Sequence, residues 1–219
     1  MDIESRASAH AALGDQRRLL IVDHLAAGDH TVAELADLVG MRGNLLAHHL
    51  DVLDDAGLIE RRVSQGDHRR RYVSLRWGRL PTTSVRPPLD RHTIAFVCTH
   101  NSARSQFAAA LWESVTGNAA ASAGAYPASR VHPTAVRVAS ELGVDLSAAA
   151  PSGYEDLPDV DLVVSVCDRA REGELPTAAE HVHWSVPDPV AVGTVPAFRS
   201  AFQEITNRIE HFARQPATN

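Results

Sequence analysis

The sequence has no lysine, only two cysteines and no long apolar run. Without a stretch of about 18 apolar residues, no segment is expected to cross a membrane. The opening residues, MDIESRASAHAALGDQRR, lack the basic start and apolar stretch of a secretory signal, so a cytoplasmic protein is expected. In a reducing compartment a structural Cys98–Cys167 disulfide is not expected, and a chemical role for at least one thiol is the better reading. All basic side chains are arginine, a bias of GC-rich genomes that carries no mechanistic weight. The formal net charge of −6 excludes a uniformly basic nucleic-acid binder but leaves local patches open.

Apolar content of 44% over 219 residues is enough to bury one large core or two small ones. Residues 81–91, PTTSVRPPLDR, combine proline with small polar residues and read as a linker. It is expected to join a domain at 1–80 to another at 92–219. Upstream of it the periodicity is helical to residue 58, whereas downstream apolar strands alternate with helices and predict a parallel sheet.

In TVAELADLVG, Thr31 and Glu34 have capping-box spacing and Gly40 stops the helix. The next helix carries Leu46, Leu50 and Leu53 on one face, three or four residues after the first, as in a helix-turn-helix. LIERRVSQGDHRRRYVSL then predicts a hairpin joined at Gln65, Gly66 and Asp67, a wing rich in arginine. Arg61, Arg62, Arg69, Arg70 and Arg71 give it a field suited to phosphates. At the start of the second helix, Arg42, Asn44 and His48 are the candidates for base-edge or phosphate contacts.

Across residues 5–78, at LGDQRRLLIVDHL, HHLDVLDDAGLI and the arginine-rich hairpin, the sequence resembles the ArsR-type winged-helix repressors. The resemblance implies a homodimer formed through this domain, bound to operator DNA by its second helix and wings. No cysteine precedes Cys98, so this domain is not expected to sense arsenite with thiols of its own. His24, His30, His48 and His49 do not have metal-ligand spacing, and no metal is expected.

Downstream, CTHNSARS follows the apolar run Ile94–Val97 and precedes a helix-like stretch. A strand ending at Cys98, a five-residue loop and Arg104 at a helix start would ring the sulfur with backbone amides that attract an anion. Thr99, His100, Asn101, Ser102 and Ala103 form that oxyanion-binding loop, and the planar fork of Arg104 fits two oxygens. The same positive field favours a nucleophilic thiolate. Ser105 can donate to the sulfur and Asn101 can brace the loop. A proton for a departing oxygen must come from elsewhere, and Asp188, held between prolines in HWSVPDPV after an apparent strand, is the candidate acid.

Over residues 92–214 the chain resembles the low-molecular-weight tyrosine phosphatase superfamily, and within it the arsenate reductases, at FVCTHNSARSQ, SAGAYPASRVHPTAVRVASELGVDLS, DLVVSVC and HWSVPDP. The resemblance implies a four-stranded parallel sheet flanked by helices, attack of Cys98 on arsenate, Arg104 holding the oxyanion and Asp188 as acid. Phosphatase relatives carry Tyr where this chain has Val190. Thioredoxin-linked reductases add two cysteines; Cys167 matches the first, but Glu174 stands at the second. The expected reductant is therefore an external thiol, mycothiol or a similar molecule, with a redoxin, and no bound cofactor. Cys167 is expected to be a core residue, with direct attack on Cys98 as the other route open to it. His132, His181 and His183 are expected on elements flanking the sheet. The combined expectation is an arsenate reductase fused to an ArsR-like regulator; the rivals are a tyrosine phosphatase and a non-enzymatic oxyanion sensor.

Overall fold

The computed structural model describes residues 2–80 and 93–213, so the linker expected at 81–91 lies outside the described residues. The chain divides into two compact units. The first contains helices α1 (Ile3–Leu13), α2 (Gln16–Ala27), α3 (Val32–Val39) and α4 (Asn44–Asp55), and strands β1 (His30–Thr31), β2 (Ile59–Val63) and β3 (Arg71–Leu75). Side chains set the helix starts by accepting amides that have no partner inside a helix. Asp15 accepts from Arg17 and Arg18 ahead of α2. Thr31 and Glu34 close the expected capping box on α3, and Gly40 ends that helix at φ +64°. Residues 40–43 form the turn to α4. Leu46, Leu50 and Leu53 pack with Ile21, Leu25, Leu35 and Ile59 in one core, each contributing about 1.5–3 kcal/mol by leaving water.

Two features differ from the sequence reading. Strand β1, too short to show periodicity, pairs with β3 through His30↔Val73 and Thr31↔Tyr72, giving a three-stranded antiparallel sheet of order β1-β3-β2. The wing loop spans residues 64–70 rather than turning at Gln65–Asp67, with Ser64 N–H donating to the Arg70 carbonyl at 3.0 Å. Arg69 and Arg70 thus leave the strand, because an unbroken arginine run has no alternation to fix a register.

The second unit contains strands β4 (Ile94–Cys98), β5 (Ala121–Gly124), β6 (Leu162–Ser165) and β7 (Glu180–His183), and helices α5 (Arg104–Thr116), α6 (Pro133–Glu141), α7 (Asp168–Arg171), α8 (Pro189–Val192) and α9 (Val195–Ala213). The sheet is parallel, in the order β5-β4-β6-β7, and confirms the expected α/β architecture. Every residue of β4 is buried, as a central strand covered on both faces requires. Phe96 and Cys98 enter the larger core with Phe107, Phe198 and Phe202, while Ala95 and Val97 face a smaller cluster. Helix α9 supplies Phe198, Phe202, Ile205, Ile209 and Phe212 at helical spacing. The chain leaves β4 first for β5 and later for β6, on opposite sides. Parallel sheets of this kind open a crevice at the carboxyl end of the strand where the order reverses, and here that strand ends at Cys98. His181 and His183 belong to β7 itself, a correction to their expected place beside the sheet.

Candidate functional site

The loop after β4 is shaped by where its carbonyls point. Those of Cys98, Thr99, His100 and Ser102 accept from the amides of Ala125, Tyr126, Ala128 and His132 at 2.8–3.3 Å. A planar trans peptide that turns its carbonyl outward turns its N–H inward, so the amides of the loop converge on one side. The Asn101 amide donates to Cys98 Sγ at 3.2 Å, and Ser105 Oγ lies 3.0 Å from the same sulfur. Helix α5 begins at Arg104 with no side-chain cap, so its first amides add to this anion-attracting ring.

Asn101 holds the ring in place. It adopts φ +48°, which Asn tolerates better than most residues. Its Nδ2 donates to Ser105 Oγ at 2.8 Å and Ser122 Oγ at 3.0 Å, while Oδ1 accepts from Gln106 Nε2 and Ser152 N at 2.9 Å each. The loop passes so near β5 that a Cβ on Gly124 would stand 2.7 Å from Asn101 N, which only glycine permits.

Buried Arg104 donates from Nη1 to the Val186 carbonyl at 2.9 Å, and its Nη2 lies 3.2 Å from Asp188 Oδ2. The structure thus brings Cys98, Arg104, Ser105 and the 99–103 loop together, with Asp188 at the guanidinium. Asp188 also accepts from Val190 N at the start of α8, which steadies its carboxylate. His100 lies at the exposed rim, its Nδ1 2.9 Å from the Tyr126 carbonyl.

Cys167 is buried and lies 3.3 Å from Thr99 Oγ1, one residue past the nucleophile position, with the Ala170 amide donating to it at 3.4 Å. Burial pushes its thiol pKa up, opposed by the Arg104 charge. Both cysteines are free thiols. The sequence reading missed a buried pair beside them: His183 Nε2 lies 3.2 Å from Asp168 Oδ1, and the other ring nitrogen is 3.0 Å from Ser165 Oγ. Burial raises the Asp168 pKa, but hydrogen bonds from His183 and Ser185 outweigh it and hold the carboxyl below its usual range. Sequence spacing gives no sign of this pair, which the β6–β7 register assembles.

In the first unit Arg42, Asn44 and His48 are all exposed along the start of α4, and Arg69, Arg70 and Arg71 are exposed on the wing. Arg42 pairs with Asp37 at 2.8 Å. Arg61 and Arg62 do not add to the phosphate-facing field as expected: Arg61 pairs with Asp51 and Asp54, and Arg62 with Glu60. Paired in this way, their charges are each matched by a neighbouring carboxylate. His49 is buried. Among the described residues, no group of three or more His, Cys, Asp or Glu could hold a metal ion, and no helix is long and apolar enough to cross a membrane.

The site is a Cys-x5-Arg loop between a strand of a parallel sheet and a helix start, with Asp188 of an Asp-Pro loop paired to its arginine. The chain belongs to the low molecular weight phosphotyrosine protein phosphatase family, whose model matches residues 93–218. Residues 15–61 match the model of the bacterial regulatory proteins of the arsR family. The chain is similar to an arsenate reductase of Brevibacillus brevis, 39% identical over 131 residues that make up 57% of this chain and 96% of the relative. It is also similar to a glutaredoxin arsenate reductase of Synechocystis, 30% identical over 54% of this chain and 93% of that one. Among solved structures, an arsenate reductase from Archaeoglobus fulgidus superposes with a TM-score of 0.51 at 30% identity, covering 56% of this chain and all of that one.

Proposed function

We propose that this protein is a cytoplasmic arsenate reductase joined, through the segment at 81–91, to an arsR-type transcriptional regulator. The observation that carries the reading is the Cys98 sulfur, which receives the Asn101 amide beneath inward-turned loop amides, with Arg104 and Asp188 paired at 3.2 Å beside it. Such a ring fits a tetrahedral oxyanion, and relatives that align with it include arsenate reductases.

Cys98 Sγ attacks arsenic while the loop amides and Arg104 hold the remaining oxygens, so that charge gathering on them meets donors already in place. Asp188 gives its proton to the departing oxygen, which leaves as water. A second thiol then attacks the sulfur of the Cys98–arsenic adduct. The S–As bond breaks, its electron pair stays on arsenic, and arsenite leaves. Since the chain has two cysteines and Glu174 where a third would stand, the electrons come in the end from a thiol outside it, a small thiol such as mycothiol working with a redoxin. In the first unit, exposed Asn44 and His48 on α4 and the wing arginines suit operator DNA bound by a homodimer.

Arsenate-dependent oxidation of added thiol, measured beside hydrolysis of an aryl phosphate, tests the enzymatic reading. Arsenite release without comparable hydrolysis is expected. The reverse would make the protein a phosphatase in which water resolves a phosphocysteine, and neither activity would leave a non-catalytic oxyanion sensor.

A further inference from the structure

Asp188 rides on a loop, and a proton donor on a loop is placed only as well as the contacts that fix the base of that loop. The base here is the end of β7, whose last residue is His183. Backbone bonds run on from it: Trp184 N–H donates to the Ser165 carbonyl at 2.8 Å, and the Val186 carbonyl accepts from Arg104 Nη1 at 2.9 Å. Side chains fix the same stretch. His183 and Asp168, the first residue of α7, are each 3% exposed. A carboxylate so deeply buried is costly unless donors meet it. Asp168 Oδ1 lies 3.2 Å from His183 Nε2, and the carboxylate also accepts from Ser185. Since an ionised carboxylate only accepts, Nε2 carries the hydrogen, and Nδ1 of the neutral ring accepts from Ser165 Oγ at 3.0 Å. The ring is thus gripped at both nitrogens, by β6 and by α7. The two residues that Asp168 holds both lie five residues or fewer before Asp188. A neutral residue at 168 would avoid the buried charge, but bonds to a charged acceptor are about twice as strong.

We propose that Asp168 is a positioning residue for the proton transfer: through His183 and Ser185 it sets the base of the loop that presents the Asp188 carboxyl to the departing oxygen. The inference rests on the reductase reading, with Asp188 as its acid. The proton still passes from Asp188 to the oxygen that leaves as water, and Asp168 keeps its own charge throughout. Arg104 and the amides of the 99–103 loop hold the oxyanion from the other side, so arsenate binding does not depend on Asp168. The distance from Asp188 to the departing oxygen does, and a misplacement of about 1 Å can cost about a hundredfold in rate.

The test uses the full chain with saturating thiol and measures kcat and KM for arsenate in wild type, Asp168→Asn, Asp188→Asn and the double variant. Asparagine keeps the volume of Asp168 but exchanges one acceptor oxygen for a donor, so it cannot accept from His183 and Ser185 as the carboxylate does. Asp168→Asn should lower kcat about tenfold and leave KM within about twofold. Added to Asp188→Asn, it should change kcat by less than about twofold, because the group it positions is already gone. A wild-type kcat in Asp168→Asn would overturn the proposal. So would a tenfold loss repeated in the Asp188→Asn background, the mark of a residue that only maintains the fold. If Asp168→Asn does not fold, His183→Gln, whose amide cannot bridge both partners of the ring, carries the same cycle with the same expected outcomes. A wild type that makes no arsenite with any thiol would instead remove the reductase reading itself, and this role with it.

Discussion

The two units use polar side chains in opposite ways. Around Cys98 they are buried and bonded to one another, with Asn101, Arg104, Ser105 and Gln106 each at most 7% exposed. On α4, the turn before it and the wing they face solvent, as with Arg42 in that turn, whose side chain is 82% exposed. A small anion must be stripped of water and held by fixed dipoles, so its site is built inward and stiffened from several strands. A polyanionic partner brings its own large field, and long arginines on a surface suffice for it. Substitutions should therefore act sharply and through geometry in the second unit, but gradually and through salt in the first.

The largest effect outside the nucleophile is expected at Asp188. Asp188→Asn keeps the contact with Arg104 but cannot give a proton, and kcat in steady-state arsenate reduction should fall about a hundredfold or more. An unchanged kcat would move the acid elsewhere. Next, replacing Arg69, Arg70 and Arg71 together by alanine should weaken operator binding in gel shifts about thirtyfold at low salt. It should also flatten the salt dependence by about 0.9 in log–log slope for each phosphate that is no longer neutralised. A slope that does not change would show that the wing does not touch phosphate.

Stability sharpens the same contrast. Asn101→Ala removes four side-chain hydrogen bonds under the loop and should cost about 2 kcal/mol in chemical denaturation, whereas His48→Ala on the exposed face of α4 should change it by less than about 0.5 kcal/mol. The smallest effect concerns acid. Asp168 has a depressed pKa in the folded chain, so the stability it contributes is present above the ordinary carboxylate range and is lost as pH falls through its lower folded value. Asp168→Asn should thus cost about 1 kcal/mol at neutral pH, and the gap from wild type should close as the pH is lowered past that range. A gap constant with pH would assign the pair to packing alone.

Much of this was legible in the sequence because it is local. Cys98, Arg104 and Ser105 lie within one strand–loop–helix, and the capping box at Thr31 and Glu34 within one turn. Asp188 is remote in sequence but was marked by its flanking prolines. What could not be read depends on register between distant strands. Ser122 and Ser152 reach Asn101 only through β5, and His183 meets Asp168 only because β7 lies beside β6. The wing was half legible: its arginines were visible, but Asp51 and Asp54 on α4 neutralise Arg61, and no spacing along the chain foretells that pair. Cys167 was read as core, and burial bears that out, yet Thr99 beside its sulfur is a neighbour that only the fold supplies.

Mass spectrometry of the reduced protein after arsenate, wild type against Cys98→Ser, addresses the proposed chemistry at its root. The wild type should pass through an arsenic adduct on Cys98 and release arsenite, and Cys98→Ser should do neither, losing at least about a thousandfold in rate. Arsenite released by Cys98→Ser at a rate near that of wild type would mean that this sulfur is not the nucleophile.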